Sequence, residues 1–326
     1  MDRDEFAGWV PIHVAPIAGD LEIDWCRFGG RRCIEPFFED SVTLALREPF
    51  NQAFRRKTSA RELLEWARLS PGIRPTAFIF HASRCGSTLL AQMLAALPRY
   101  IVVSEPPMLD AVLPLRTNQA EVGQETRVAW LRGLVSALAQ PMHGETQFAI
   151  KLDAWNILES EFLRRAFPDT PCIFLYRDPA EIGASQLAMR GSYLVPGRLD
   201  PSPFGFDLPE SLAWTAEEYI ARALGQVMSA GAAACAAHGA IPVHYEELPE
   251  LASAPLRALL GISAGDQDTM KNAAQRDAKN PQIPFASGDA RPRREVSIVM
   301  RGQIEKWATP AYRELEALRA ARIRLG

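Results

Sequence analysis

The sequence predicts an α/β fold in which a parallel β-sheet is flanked by helices on both faces. Short apolar runs alternate with longer helical patterns along the chain. Most of these runs are apolar throughout, as is typical of strands buried on both faces of a parallel sheet. Polar and cationic residues follow the runs directly, where sheets of this class bind ligands. The chain has 326 residues, of which 48% are apolar and 23% charged, as expected for a globular protein.

Five apolar runs are the predicted strands of this sheet. In chain order they are Ala77–Phe80, Tyr100–Val103, Phe148–Lys151, Pro171–Tyr176 and Ile241–His244. The intervening segments have helical periodicity. The predicted helices are Ser87–Ala96, Ala120–Ala139, Leu158–Ala166, Ala180–Met189, Leu212–Ala237 and Ala311–Ile323. This alternation is the βαβ pattern. Residues 190–210 and 278–294 are rich in Pro and Gly and are predicted as long loops of the kind that form lids or are disordered.

Residues 1–70 precede the alternating pattern and are predicted to be an N-terminal extension that packs on the core domain, residues 71–326. Short strands and a turn are predicted at Trp9–His13 and Asp24–Gly30, and Pro36–Ser41 is expected to lead into further extended structure. Ser59 is the predicted N-cap of a helix that ends at Leu69. No motif in this extension indicates a function.

Charge and composition exclude several classes of protein. The net charge is −3 and no basic stripe is present, which argues against a nucleic-acid partner. No apolar run reaches the length of a membrane span, and the acidic N-terminus is unlike a secretory signal. Five scattered cysteines favour reduced thiols and a cytoplasmic location. Cys26 and Cys33 lack neighbours at ligand spacing, so no metal site is predicted.

The segment Phe78–Leu94 carries the strongest functional signal. It begins as an apolar strand, passes through a tight polar loop and continues as a helix. The loop contains Arg84 and Gly86, and the hydroxyls of Ser87 and Thr88 stand where the helix begins. The first turn of a helix leaves N–H groups unpaired, and its dipole favours negative charge. The segment therefore predicts a phosphate site, and the alternative is an ordinary strand-to-helix turn with a capping serine.

The loop differs from that of nucleoside triphosphatases, which reads G-x-x-x-x-G-K-[ST]. Ser87 follows Gly86 where that motif has lysine, and the first glycine is missing. Hydrolysis of a triphosphate also needs a magnesium ion held by an acidic residue, and no strand clearly ends in one. The loop is thus suited to an anion that needs no metal.

These residues resemble the sulfotransferases that use 3′-phosphoadenosine 5′-phosphosulfate (PAPS). The 5′-phosphosulfate loop of that family has Lys or Arg, a small residue, Gly, Ser or Thr, and Thr at the start of a helix. The residues that match, in this order, are Arg84, Cys85, Gly86, Ser87 and Thr88. Arginine is the variant found in tyrosylprotein and many bacterial sulfotransferases. The resemblance implies that these residues, with Leu89 beside them, bind the donor, and that 3′-phosphoadenosine 5′-phosphate (PAP) is its product.

A second segment, Cys172–Gln186, resembles the 3′-phosphate site of the same family. Arg177 stands at the end of an apolar strand, and Ser185 follows eight residues later in the next helix. Pro179 suits the first turn of that helix. A guanidinium and a hydroxyl bind a phosphate dianion through geometry as well as charge. The alternative is a surface pair of Arg177 with the neighbouring Asp178.

Two further segments resemble this family in chain order. Ile241–Leu248 is similar to a strand ending in Tyr-Glu-x-Leu, which implies that Tyr245 lies beside the adenine; otherwise its ring closes the sheet edge. Met300–Trp307 resembles the C-terminal segment that folds over the 3′-phosphate, which implies a binding role for Arg301 and Gly302. This match is weaker, because other positions of the segment depart from the family pattern.

The residues predicted to act on the transferred group are fewer. Lys151 resembles the strand-end lysine that faces that group in tyrosylprotein sulfotransferases; the alternative is an exposed strand-end lysine. Arg84 and Lys151 would neutralise charge on the bridging oxygen. Glu105 resembles the catalytic glutamate of the same enzymes and is the predicted base, although it could instead be a helix-start charge. His81 is the second candidate for the base.

The resemblance covers roughly residues 74–320 and implies a transferase that moves a sulfuryl group from PAPS to a hydroxyl or amine without a metal. Two alternatives remain: a P-loop nucleotide kinase-like phosphotransferase, and a protein that binds a 3′-phosphonucleotide without catalysis. We expect a small-molecule acceptor and no nucleic acid. The sequence indicates neither the identity of the acceptor nor the oligomeric state.

Overall fold

The computed structural model describes residues 5–114, 122–248, 254–277, 280–284 and 295–325. These ranges contain ten strands. They are β1 (Trp9–Ile17), β2 (Asp20–Arg27), β3 (Arg56–Ser59), β4 (Ala77–His81), β5 (Tyr100–Ser104), β6 (Gln147–Lys151), β7 (Cys172–Tyr176), β8 (Ile241–His244), β9 (Arg276–Asp277) and β10 (Asn280–Pro284).

The same ranges contain thirteen α-helices. They are α1 (Phe38–Leu46), α2 (Pro49–Ala53), α3 (Ala60–Leu69), α4 (Ser87–Ala95), α5 (Gln124–Leu138), α6 (Ser160–Ala166), α7 (Pro179–Ala188), α8 (Leu208–Leu212), α9 (Ala216–His238), α10 (Ala254–Leu259), α11 (Gln267–Ala274), α12 (Ile298–Trp307) and α13 (Thr309–Leu325).

The predicted sheet is confirmed. Five parallel strands flanked by helices stand in the order β5-β6-β4-β7-β8. Each lies within one residue of its predicted ends. Every residue of β4 is buried, as a continuous apolar run requires. In the parallel pair of β5 and β6, Ser104 lies opposite Lys151. In the pair of β7 and β8, Tyr176 lies opposite His244.

The chain divides into two compact units. The first comprises residues 1–78, 91–151 and 161–170. It contains an antiparallel sheet in the order β1-β2-β3 and the helices α3 and α5, which pack on each other. Ser59 caps α3, as predicted: its hydroxyl accepts from the backbone of Glu62, whose carboxylate accepts from the backbone of Ser59. The division at residue 70 into extension and core stays a prediction.

The second unit comprises residues 79–90, 152–160 and 171–326. Its central helix is α9, which packs on β7, β8, α12 and α13. A Cβ at Gly231 would lie 2.4 Å from the ring of Phe174, so only glycine permits this close approach of α9 to β7. Among the described residues, α9 alone is long and apolar enough to cross a membrane. Its packing in this unit is that of a buried core helix.

Some predicted elements differ from the structure. Pro36–Ser41 was expected to lead into extended structure, but it leads into α1, where two acidic residues in the first turn favour a helix N-terminus. The helix expected over Leu212–Ala237 is divided into α8 and α9, because Thr215 caps α9 through the backbone of Glu218. A 3₁₀ helix, Ala154–Glu159, precedes α6 where one longer helix was expected.

The predicted loops have mixed outcomes. Residues 190–210 contain two 3₁₀ turns, Ser192–Leu194 and Ser202–Phe204, followed by the start of α8. The second predicted loop, 278–294, lies outside the described residues apart from β10. The predicted start of α5, at residue 120, also lies outside them.

Candidate active site

The loop after β4 has an uncommon backbone. Ser83 and Arg84 both have positive φ angles, of 62° and 49°, and Gly86 has a φ of 84°. Non-glycine residues rarely adopt this region, and such strain concentrates at functional sites. The side chain of Cys85 is buried and its Sγ donates to the carbonyl of Leu175. Cys85 can therefore offer an anion only its backbone.

His81 shapes this loop. Its Nδ1 accepts a hydrogen bond of 3.0 Å from the backbone N–H of Ser83. A backbone N–H can only donate, so Nδ1 carries no proton and the neutral ring is protonated at Nε2. This arrangement supports the bend of the loop, and leaves Nε2 as the only position at which His81 exchanges a proton while the bend is kept.

Gly86 places the helix start against Tyr245. The hydroxyl-bearing residues Ser87 and Thr88 open α4 and are 5% and 7% exposed. A Cβ on Gly86 would lie 2.7 Å from Cδ2 of Tyr245 and 2.6 Å from Cδ1 of Leu248. Both its positive φ and this contact require glycine. Leu89 is buried behind the first turn.

Arg177 lies on the same tyrosine ring. Its guanidinium carbon is 4.5 Å from the ring centroid of Tyr245, a cation–π contact. It also forms an ion pair with Glu181, in which both side chains are about one-third exposed. Ser185 follows Glu181 by one turn of α7. Tyr245 therefore contacts both the predicted 5′-phosphosulfate loop, at Gly86, and the predicted 3′-phosphate ligand.

The turn that carries Tyr245 is fixed by Glu247. This carboxylate accepts from the backbone of His244 at 3.0 Å and from Nη2 of Arg322, on α13, at 2.6 Å. Nearby, the hydroxyl of Tyr176 donates to Glu316 of α13 at 2.5 Å. Burial raises the pKa of Tyr176, and the Glu316 carboxylate raises it further, so the phenol stays a donor. These contacts hold α13 on the ends of β7 and β8.

One direct hydrogen bond and one bridging side chain join the loop to the segment after α7. Arg84 donates from Nη2 to the carbonyl of Met189 at 2.8 Å. The side chain of Gln186 is fully buried; it donates to Ser83 Oγ and accepts from the backbone N–H of Gly191, both at 2.8 Å. The loop is therefore joined by hydrogen bonds to the residues that directly follow α7.

In the first unit, Lys151 and Glu105 form a buried ion pair. Lys151 is 0% exposed and Glu105 is 23% exposed. The Lys151 ammonium donates to Oε1 of Glu105 and lies 5.1 Å from the ring centroid of Phe37. Glu105 has a φ of 54°, and its N–H donates to the carbonyl of Lys151. The alternative of an exposed strand-end lysine is therefore wrong.

The two C-terminal candidates lie on a helix. Arg301 and Gly302 are exposed residues of α12. Its buried Met300 packs so closely on Gly183 of α7 that a Cβ there would lie 2.8 Å from its sulfur. At the end of α12, Trp307 lies against Arg222, whose guanidinium carbon is 3.9 Å from the ring centroid. The roles of Arg301 and Gly302 stay predictions.

Comparison with known proteins decides the family. A model described as "Sulfotransferase family" matches residues 75–262, which is more than half of the chain.

The chain belongs to the sulfotransferase family.

Sequence comparison with curated proteins finds no match to this sulfotransferase. Solved structures similar to it include three bacterial sulfotransferases. The Alicyclobacillus acidocaldarius sulfotransferase is 19% identical with a TM-score of 0.45, covering 76% of this chain and 96% of that one. The sulfotransferase STF9 of Mycobacterium avium is 16% identical with a TM-score of 0.43, covering 76% of this chain and 78% of that one. The sulfotransferase domain of the Synechococcus PCC 7002 olefin synthase is 17% identical with a TM-score of 0.37, covering 72% of this chain and 95% of that one.

The structure of this sulfotransferase also contains residues that the sequence reasoning missed. Glu181 pairs with Arg177, Gln186 binds the loop, and Phe37 lies against Lys151. The spacing of four residues from Arg177 to Glu181 was a usable signal for an ion pair. Gln186 and Phe37 gave none, because Ser83 is 103 positions from Gln186 and Lys151 is 114 positions from Phe37.

The first unit also contains a partly open, largely apolar pocket. Its walls include Phe28, Phe38 and Tyr100, with Cys33 among them. Burial raises the pKa of Cys33 to about 12. This thiol is therefore a neutral lining group rather than a nucleophile.

Proposed function

We propose that this sulfotransferase moves the sulfuryl group of PAPS to a hydroxyl or amine of a small-molecule acceptor, in the cytoplasm and without a metal. The observation that carries the choice of donor is the shared position of Tyr245. One aromatic ring contacts Gly86, in the loop that resembles the 5′-phosphosulfate site, and Arg177, which resembles the 3′-phosphate ligand. A nucleotide with phosphates at both positions fits this spacing of a helix start, an aromatic face and a guanidinium.

The residues of the loop suit this donor. The hydroxyls of Ser87 and Thr88 and the first N–H groups of α4 are donors at a positive helix end. Arg84 supplies a guanidinium, which donates to the carbonyl of Met189. Arg177 and Ser185 would hold the 3′-phosphate, and the exposed Arg301, with Gly302, would approach it from α12.

PAPS supplies an activated sulfuryl group and a leaving phosphate. We propose that Glu105 takes the proton of the acceptor and that Lys151 stabilises the charge on the bridging oxygen. The ion pair with Lys151 orients the Glu105 carboxylate, which supports this assignment. His81 supports the loop through Nδ1 and is the second candidate base.

The test is calorimetric titration with PAP, with AMP and ATP as controls, without and with magnesium. We expect PAP to bind without a metal and AMP to bind much more weakly. Arg177→Ala should weaken PAP binding by roughly a hundredfold, because a charge-assisted pair of hydrogen bonds is lost. Arg313→Ala is the matched control, since it removes an exposed arginine that pairs with Glu305, and should leave PAP binding unchanged.

The other outcomes identify the alternatives. Preference for ATP with magnesium would indicate a kinase-like phosphotransferase. Tight binding of PAP with no release of PAP from PAPS, in the presence of phenol, alcohol and amine acceptors, would indicate a binding protein without catalysis.

A further inference from the structure

The predicted 3′-phosphate ligand already has an anionic partner. Arg177 stands just before α7, and its Nη2 forms an ion pair with Oε2 of Glu181, in the first turn of that helix. The guanidinium also lies on the face of Tyr245, 4.5 Å from the ring centroid. The orientation of Arg177 is thus set from two sides, by an aromatic face and by a carboxylate.

Glu181 lies between the two residues that are proposed to bind the 3′-phosphate, Arg177 and Ser185. Residues four apart on a helix lie on the same face, with their Cβ atoms about 5–6 Å apart. Glu181 is therefore the helical neighbour of Ser185, and it is also the ion-pair partner of Arg177. A dianion held by both Arg177 and Ser185 would lie beside the Glu181 carboxylate and would compete with it for the guanidinium.

From this placement, we infer that Glu181 is a competing internal anion that lowers the affinity for the 3′-phosphate and speeds its release. The inference rests on the proposed function, because it concerns the same nucleotide site. Binding would exchange one anionic partner of Arg177 for another. Glu181 would thereby limit product retention, since PAP carries the same 3′-phosphate as the donor.

The alternative role for Glu181, orienting Arg177 toward the nucleotide, predicts the opposite change in PAP affinity. If Glu181 orients Arg177 for the nucleotide, its removal would weaken PAP binding. If it competes, its removal would strengthen binding. The contact between Tyr245 and the guanidinium does not involve Glu181, so we expect the variant to keep one of the two orienting contacts.

The experiment compares Glu181→Gln with the wild type in calorimetric titrations with PAP and with AMP, and measures PAP dissociation by stopped flow. We expect roughly tenfold tighter binding of PAP, mostly through slower dissociation, since a like charge beside the dianion is removed. AMP, which lacks a 3′-phosphate, should bind unchanged. When Arg177 is already replaced by Ala, Glu181→Gln can strengthen PAP binding only by removing the repulsion between Glu181 and the phosphate. The gain in PAP affinity should therefore be smaller than in the wild-type background, and the difference between the two gains measures the competition for Arg177.

Glu125→Gln is the matched control. It removes the same charge from an exposed ion pair, with Arg165, and should leave PAP affinity unchanged. Equal or weaker PAP binding by a folded Glu181→Gln variant would overturn the inference while leaving the proposed donor intact. Failure of the wild type to bind PAP would overturn both, so the two failures are distinguishable.

Discussion

The loop at Arg84 and the Lys151–Glu105 pair handle charge in opposite ways. The loop presents donors: a helix start, two hydroxyls and a guanidinium that donates to the carbonyl of Met189. The pair is neutralised within itself, with the ammonium fully buried against its carboxylate. An anion would therefore bind at a helix start that favours negative charge, whereas Lys151 can act on a substrate only by sharing its contact with Glu105.

Because of this difference, we expect the loop to determine nucleotide affinity and the Lys151–Glu105 pair to determine the rate of sulfuryl transfer. Changes in the loop should alter the affinity for a nucleotide, and changes in the pair should alter turnover. Variants that change either nucleotide affinity or turnover, but not both, test this expectation.

The largest effect is expected from Glu105→Gln. The amide keeps the shape of the side chain but accepts no proton, so kcat should fall by roughly a hundredfold to ten-thousandfold. PAP affinity should change less than threefold, or roughly 0.7 kcal/mol. The measurement is PAP release from PAPS with the best acceptor of a panel of phenols, alcohols and amines, together with a PAP titration. Unchanged turnover would remove Glu105 from the role of base.

The next effect is expected from Gly86→Ala. The substitution adds a Cβ 2.7 Å from the Tyr245 ring at a φ of 84°, and backbone strain of this kind costs about 1–3 kcal/mol. Displacement of the loop from Tyr245 should weaken PAP binding by roughly tenfold to a hundredfold. Calorimetry gives the affinity, and urea unfolding gives the stability.

Gly205→Ala is the control for this substitution. Gly205 has a comparable φ of 74°, and nothing lies within 4 Å of an added Cβ. The two variants should lose similar stability through the backbone, but only Gly86→Ala should lose affinity for PAP. Similar losses of affinity in both would show that the contact with Tyr245 is irrelevant to binding.

The smallest effect is expected from His81→Asn. The carbonyl of asparagine can accept the Ser83 N–H in place of Nδ1, so the bend of the loop should survive. We expect kcat and PAP affinity to change by at most about threefold. A fall in kcat comparable to that of Glu105→Gln would transfer the role of base to His81.

The sequence predicted the sheet well for a physical reason. Strands buried on both faces need continuous apolar runs, so all five could be located from composition alone. Phe37 and Phe38 misled the prediction, because adjacent aromatics after Pro36 resemble an extended segment. The acidic residues in the first turn of α1 were the better signal.

The candidate site could be predicted only in part. Motif spacing identified Arg177 and Gly86 as separate signals, but their shared contact with Tyr245 arises from three strands far apart in the chain. The pair of Lys151 and Glu105 depends on the register that sets Ser104 opposite Lys151. Register between parallel strands joined by a long crossover is a tertiary property, and no local pattern encodes it.

The bonds of Gln186 also fix the direction of a proton. The Gly191 N–H can only donate, so the oxygen of the Gln186 amide must face it and the nitrogen must face Ser83. The Ser83 oxygen therefore accepts, and its own hydrogen is directed away from Gln186. A backbone group beyond α7 thus sets the polarity of a hydroxyl in the loop. The Ser83 hydroxyl can therefore donate its hydrogen only to a group other than Gln186.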